Sequence, residues 1–555
     1  MSKSDSTSNP MREILDSYYR AWFRYHPEAA VDCGVDGYAH LLTPCDEESA
    51  GAIVCLNDEL LVALEEFEGA ALSVDEALDV LLVRSAAGLE NERLLNVDPQ
   101  RVDPMRWLPI DAIYQLTIRP VADFANALMS RLTAIPAHLE AARDHLIPRA
   151  ARIPRLWLDT TVASARDGIA FLRSLPQSPK VRDAGIDGPS LGSAIEKAVR
   201  AIGGYADFLE KNLAEQASGE IACGAVYFEH LLRARHHLGA SIDDLYRFGD
   251  QLAERTRAEL RVVSRELTGN DDPNGVLARL RADHPARDEL LEAYRQAMQA
   301  ARDFVRDRDL VTLPAHEQLA VVETPVFLRN QIPFAAYCDP VPGDPDQQGY
   351  YYVTPPASDD ELAEHDRIGL RHTCAHEAWP GHHLQFVTAN ANAAARTLPR
   401  LLNASATLYE GWALYSEQLM QEEGFLDRPE NRFVLLRDRL WRALRVLIDI
   451  DIHCRGVPVD EAAKRLVKEL GFAESQARGE LTWYSRAPTV PLGYATGWAM
   501  INAARQQWRA EHPAAPLREF HDRLLSAGSI SLPLVLRRVF GEAFEASVTK
   551  AVLDR

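Results

Sequence analysis

A chain of 555 residues is too long for one simple core, and at 47% hydrophobic and 25% charged it has the composition of an ordinary globular protein rather than a disordered one. Its formal charge of −21 repels phosphate backbones and anionic lipid, so nucleic acid and membrane surfaces are excluded as expected partners. Seven cysteines without paired short spacing argue against a disulfide framework or a thiolate zinc knuckle; with a polar start and no run long enough to span a bilayer, the expected setting is a reduced cytoplasm.

Residues 1–10 read as a disordered tail. Ile14, Tyr18 and Trp22, with Leu15, Tyr19 and Phe23 beside them, then recur at helical spacing until Pro27 ends the run. Similar periods occupy Phe124–Leu132, Pro136–His145 and Ile242–Leu267, which makes 11–310 a helical N-terminal region. The last of these has a readable start. Ser241 suits the N-cap, Asp243 and Asp244 place negative charge on the positive end of the helix dipole, and Gly269 lies just past the end.

The texture changes near residue 311. Leu319–Phe327, Pro333–Cys338 and Gly349–Thr354 are strand signals, the last two separated by Pro340, Pro342, Gly343 and Pro345. After Pro356 the helical period returns and runs nearly to Arg555, with no repeat that would indicate a solenoid. The expected fold is large and mostly α, continuous through both regions, with an internal cleft. Its catalytic region, 311–555, carries one small sheet at 311–356.

Five of the 17 histidines (365, 372, 376, 382 and 383) fall in one window of 19 residues. Imidazole is the commonest protein metal ligand, and the usual zinc-hydrolase helix carries two His at i and i+4 with a Glu directly after the first. After His376-Glu377 the i+4 slot is Pro380, so the plain motif fails. On a straight helix His382 would stand about 9 Å further along the axis, too far for one ion to take both. Pro380-Gly381 offers a repair, because proline breaks the hydrogen-bond ladder and glycine tolerates unusual dihedrals. His372 and His376 form a competing i, i+4 pair with no breaker between them, and spacing alone does not choose. A second stretch, Tyr409-Glu-Gly-Trp-Ala-Leu-Tyr-Ser-Glu417, places Glu410 and Glu417 on one helix face amid apolar residues.

His376-Glu-x-x-Pro-Gly-His382 followed by Glu410-Gly-Trp-Ala-x-Tyr resembles the bacterial DUF885 proteins, which are similar in turn to helical zinc peptidases of the oligopeptidase and Taq-carboxypeptidase type. The likeness spans most of the chain: Pro27-Glu-Ala-Ala30 with Gly34, and Arg131-Leu-x-x-Ile-Pro136, resemble further marks of the family. The resemblance implies one Zn2+ ion held by His376, His382 and Glu410. Glu377 is then the general base that activates metal-bound water and passes its proton to the leaving amine. Glu417 orients a ligand, His372 supports the site from behind, and His383 is polar lining.

Gly493-Tyr494-Ala-Thr-Gly497 resembles a segment that supplies a phenol to the tetrahedral intermediate, which makes Tyr494 the first choice for that role and Tyr484 the second. A core tyrosine with a satisfied hydroxyl is the plainer reading of both. Arg445, Asp449 and His453 share one helix face and resemble another family string. The sequence departs from that string in reading Asp449-Ile-Asp451-Ile-His453 for Asp-Thr-Gly-x-His, and it has Trp483 where an Arg often precedes the Tyr; Arg486 offers a replacement cation for a substrate carboxylate. The small sheet, through Phe334–Cys338 or Tyr350–Thr354, is expected to pair with extended substrate. The expected activity is cleavage of small peptides. A zinc amidohydrolase acting on a non-peptide amide and a non-catalytic helical binding protein are the alternatives, and self-association is left open.

Overall fold

The first helix starts where the sequence offers a cap. The Asn9 side chain accepts from the backbone N–H groups of Met11 and Arg12, and α1 (Pro10–Trp22) buries Met11, Leu15, Tyr18 and Tyr19 along one stripe. The computed structural model describes residues 9–67, 71–329, 332 and 334–553. The expected tail, up to Ser8, therefore lies outside the described residues, as does Pro333. Pro27 does not terminate α1. The helix ends at Trp22, and Pro27 opens the next short helix, where its missing N–H costs nothing.

The described residues form two compact units, one of residues 1–220 with 326–331 and one of 221–325 with 332–555. The first is helical. Its Phe124–Leu132 and Pro136–His145 stretches are one helix, α2 (Phe124–Leu146), which runs through Pro136. Within it Arg131 is fully buried and donates to the carbonyl of Ala112. A third helix, α3 (Gly188–Phe208), packs on α2 and buries Ala198, Ile202 and Tyr205.

The second unit holds the histidine-rich segment. It begins with α4 (Ile242–Thr268), where Ser241 and Asp244 form a reciprocal capping box and Gly269 closes the end at φ 82°. Next comes α5 (Leu290–Asp307), followed by the three strands found among the described residues: β1 (Glu317–Glu323), β2 (Ala335–Cys338) and β3 (Gln347–Val353). Their order is β1-β3-β2, with β1 parallel and β2 antiparallel to β3. Because β3 is paired on both sides, Tyr350–Thr354 cannot offer a free edge to an extended ligand; β2 is an edge strand.

Six further helices complete the frame of the site: α6 (Arg367–Glu377), α7 (His382–Ala391), α8 (Ala406–Glu422), α9 (Pro429–Cys454), α10 (Glu474–Arg486) and α11 (Gly493–Glu511). α9 is buried along nearly its whole second half and lies against α4, while α8 lies against α11. The α8–α11 crossing is at backbone distance. A Cβ on Gly497 would stand 1.9 Å from the Thr407 carbonyl oxygen, and one on Gly411 would stand 2.7 Å from Gly497. Glycine is required there for space. The fold is mostly α with one small sheet, as the sequence periods predict. No helix among the described residues is long and apolar enough to cross a membrane.

Candidate metal centre

The helix carrying His376 ends one residue later. Ala378 leaves helical geometry at φ −113° and ψ −88°, the Trp379–Pro380 peptide is cis, and Gly381 at ψ −137° starts α7. A Cβ on Gly381 would lie 1.8 Å from the His376 carbonyl oxygen, so only glycine lets the chain fold back this tightly. The indole N–H of Trp412, fully buried on α8, donates to the Pro380 carbonyl at 2.7 Å. The break thus occurs where Pro380-Gly381 predicts it and is tied to the helix that carries Glu410.

Folding back brings three side chains together. The rings of His376 and His382 are 4.9 Å apart and nearly perpendicular. Glu410 Oε2 lies 3.7 Å from His376 Nε2 and 3.4 Å from His382 Nε2, and the three ligand atoms all fall within 4.8 Å of one another. Ligand atoms about 2.0–2.1 Å from a tetrahedral zinc stand roughly 3.4 Å from each other. Glu410 Oε2 is buried without a hydrogen-bond partner among the described residues. Two imidazoles and a carboxylate, spaced for a shared cation rather than for direct hydrogen bonds, fit zinc. His372, one turn before His376, is buried but stands outside this trio.

The surroundings fix each donor. Glu417 Oε1 accepts the Nδ1–H of His376 at 2.7 Å, which leaves the Nε2 lone pair facing the centre. Burial opposes charge on His376, but Glu410 and Glu417 outweigh it and push the imidazole up to about 10. For Glu410, burial favours the neutral form, yet the two imidazoles beside it hold the carboxyl well below the usual range. The centre therefore calls for positive charge, supplied by a protonated imidazole or by a metal ion.

Tyr494 donates to Glu410 Oε1 at 2.7 Å and is buried, with burial and the Glu410 charge raising its phenol. The Arg445 guanidinium sits 4.2 Å from the Tyr494 ring centre, donates to the Tyr484 hydroxyl at 2.8 Å and pairs with Glu480 at 2.9 Å. Tyr484 itself donates to Glu480 at 2.6 Å, so its hydroxyl is committed to this network. His453 is buried and its Nε2 donates to the Tyr484 carbonyl at 3.0 Å. Asp449 is fully buried, accepts from the Thr489 N–H at 3.4 Å, and is raised well above the usual carboxyl range by burial. It braces the turn that starts α11. Arg486 is the last residue of α10 and is half-buried.

His383 is not simple lining. Its Nε2–H donates to Glu317 on β1 at 3.1 Å, and its Nδ1 accepts from the Tyr337 hydroxyl on β2 at 3.1 Å. Glu317 pairs in turn with Arg302 at 2.7 Å. The residue after the candidate ligand His382 is thereby pinned to two strands of the sheet. Glu317 and Trp412 carry no local sequence signal for these roles, whereas Glu480 stands four residues before Tyr484 on one helix face.

A pocket of about 260 Å³ opens beside the centre, and its lining includes His372, His376, Glu377, Glu417, Trp441 and Arg442. Glu377, half-buried at the end of α6, faces this space with the imidazole that precedes it.

The fold and the cluster together define the class: a mostly helical chain with a buried centre of two histidines and one carboxylate. The chain belongs to the family described as bacterial protein of unknown function (DUF885), whose family model matches residues 27–539. A "putative lipoprotein of unknown function" from Shewanella oneidensis is similar in fold, with a TM-score of 0.78 and 20% identity over 95% of this chain and 99% of that one. A second solved structure, described as a "putative lipoprotein" from Colwellia psychrerythraea, has a TM-score of 0.77 and 18% identity over 98% and 99% of the two chains. No curated protein matches this chain.

Proposed function

We propose that this chain is a zinc-dependent hydrolase of small peptides, with His376, His382 and Glu410 holding one ion and Glu377 acting as general base. The observation that carries the reading is the convergence of two Nε2 atoms and one carboxylate oxygen within 4.8 Å, with Glu377 beside them at the pocket wall. Zinc, when bound by these residues, would supply Lewis acidity toward a carbonyl and toward water. Glu377 takes a proton from the attacking water as the new C–O bond forms, and returns it to the nitrogen as the C–N bond breaks. Glu417 holds the His376 ring in the tautomer that presents Nε2, and Tyr494 holds Glu410 from its other oxygen. A pocket of about 260 Å³ suits a short substrate rather than a folded protein.

The deciding experiment measures metal content and chelator-sensitive cleavage across a peptide library, for wild type and Glu377→Gln. The expected result is about one zinc per chain in both proteins and a loss of about 10²–10⁴ in rate in the variant. Stoichiometric zinc with no peptide cleaved would move the activity to a non-peptide amide. Wild type without zinc, indifferent to chelator, would overturn the metal centre and leave a helical binding protein. We place the protein in the cytoplasm on its scattered cysteines; the two structures similar in fold carry a lipoprotein description, and cell fractionation decides between the settings.

A further inference from the structure

Arg442 is an unusual occupant of the pocket wall. It lies on the buried side of α9 with its side chain 9% exposed, yet its Nε and Nη1 have no hydrogen-bond partner among the described residues. Its neighbours do not meet this need. Asp438, one turn back, forms an ion pair at 3.7 Å from Nη1 without a hydrogen bond, and Glu417 spends Oε1 on His376 while its Oε2 is buried without a hydrogen-bond partner among the described residues. The two other arginines of the pocket are engaged: Arg281 pairs with Glu364 at 2.6 Å, and Arg437 donates to the Leu470 carbonyl at 3.3 Å. Leaving guanidinium donors buried and unmet is costly, and a carboxylate is the acceptor whose two oxygens match a guanidinium edge.

The position of Arg442 limits which carboxylate this is. Its guanidinium stacks 4.0 Å from the Trp441 ring centre, which fixes its plane, and lies 5.9 Å from the Tyr494 ring centre. The Tyr494 hydroxyl touches Glu410 of the metal centre. An extended peptide advances roughly 3.3–3.6 Å per residue, so an anion on Arg442 stands about one or two residues from a carbonyl placed over the centre. The pocket also contains Glu377, the residue assigned to protonate the leaving nitrogen. Arg442 and Glu377 thus line one pocket.

We propose that Arg442 binds a substrate carboxylate on the leaving-group side, so that the preferred substrates are peptides ending one or two residues beyond the cleaved bond with a free carboxyl group. This rests on the hydrolase reading for its reaction but not for its binding step. Arg486, the cation suggested by sequence, does not line this pocket.

The test is calorimetric binding of N-acetyl-alanyl-phenylalanine and of its carboxamide to the full-length Glu377→Gln protein, with and without Arg442→Gln or Arg442→Lys. The expected result is that the free acid binds at least 10-fold tighter than the amide, that Arg442→Gln removes the difference, and that Arg442→Lys restores part of it. An amidated peptide ending in glutamate that binds as tightly as the free acid supports the carboxylate site and assigns it to a side chain. Equal binding of acid and amide, binding of neither, or a preference that survives Arg442→Gln overturns the proposal. In parallel, kcat/KM for acid and amide forms is compared in the wild-type catalytic background. A preference seen in binding without any hydrolysis would sink the peptidase and leave the carboxylate site standing.

Discussion

The phenol of Tyr494 and the carboxylate of Glu410 are joined by a hydrogen bond of 2.7 Å, across two helices that cross at glycine contact distance. Tyr494 thus holds one oxygen of the proposed metal ligand Glu410 while the other faces the two imidazoles. Tyr494→Phe should therefore weaken zinc retention by about 10-fold, as loss of an outer hydrogen bond to a ligand does. Competition against a chromophoric chelator measures this. If zinc affinity is unchanged while kcat falls 10²–10³-fold, the phenol serves the reacting oxygen instead.

Glu417→Gln keeps the shape of the group that accepts from His376 Nδ1 but removes its charge. Zinc affinity should fall by about 10–100-fold, read by equilibrium dialysis. Excess zinc at 100 times its dissociation constant should stabilise the wild type by about 2.7 kcal/mol, and His376→Ala should abolish that gain in a thermal scan.

Gly381→Ala places a methyl group against the His376 carbonyl, a backbone atom that cannot rotate away. The variant should lose about 1–3 kcal/mol of stability in urea unfolding and bind zinc poorly even where it remains folded. Normal stability together with normal zinc content would show that the break can be relaid.

His521 sets a pH dependence apart from the metal centre. Its Nδ1–H donates to the Leu310 carbonyl at 2.7 Å and its Nε2 accepts from the Tyr415 hydroxyl at 2.8 Å, so the folded protein holds it neutral. Burial pushes this imidazole down to about 3. The folded value lies below the unfolded one, so this contribution to stability is complete above about pH 6.5 and is lost as pH falls toward 3. Near pH 5 the unfolded chain binds one more proton here, a slope of about 1.4 kcal/mol per pH unit. His521→Gln should reduce the slope of unfolding free energy between pH 4 and 6 by about that amount, measured by urea unfolding at several pH values.

Much of the fold was readable because the governing forces are local. The cap at Ser241, the stop at Gly269 and the confinement of strands to 317–353 follow from side-chain chemistry at fixed offsets. The helical periods on either side of Pro136 belong to one helix that runs through it, a continuity that the periods alone do not show. Tertiary packing also limits what sequence says of the centre. Pro380-Gly381 predicts a bend, but whether His382 or His372 joins His376 depends on how far the chain turns back. The pairing of His383 with Glu317 spans 66 positions, and the unmet donors of Arg442 exist only once its neighbours have chosen other partners. No spacing rule encodes either.

The bond from Trp412 to the Pro380 carbonyl has a practical corollary for anyone wishing to transplant the centre into another scaffold. The helix that carries one candidate ligand also secures the reversal that presents another, so the string His376–His382 is not portable alone. A cassette that keeps these ties includes at least three pieces: the broken helix pair around Pro380, the stretch from Ala406 to Glu417, and the glycine-flanked turn of α11 that holds Tyr494.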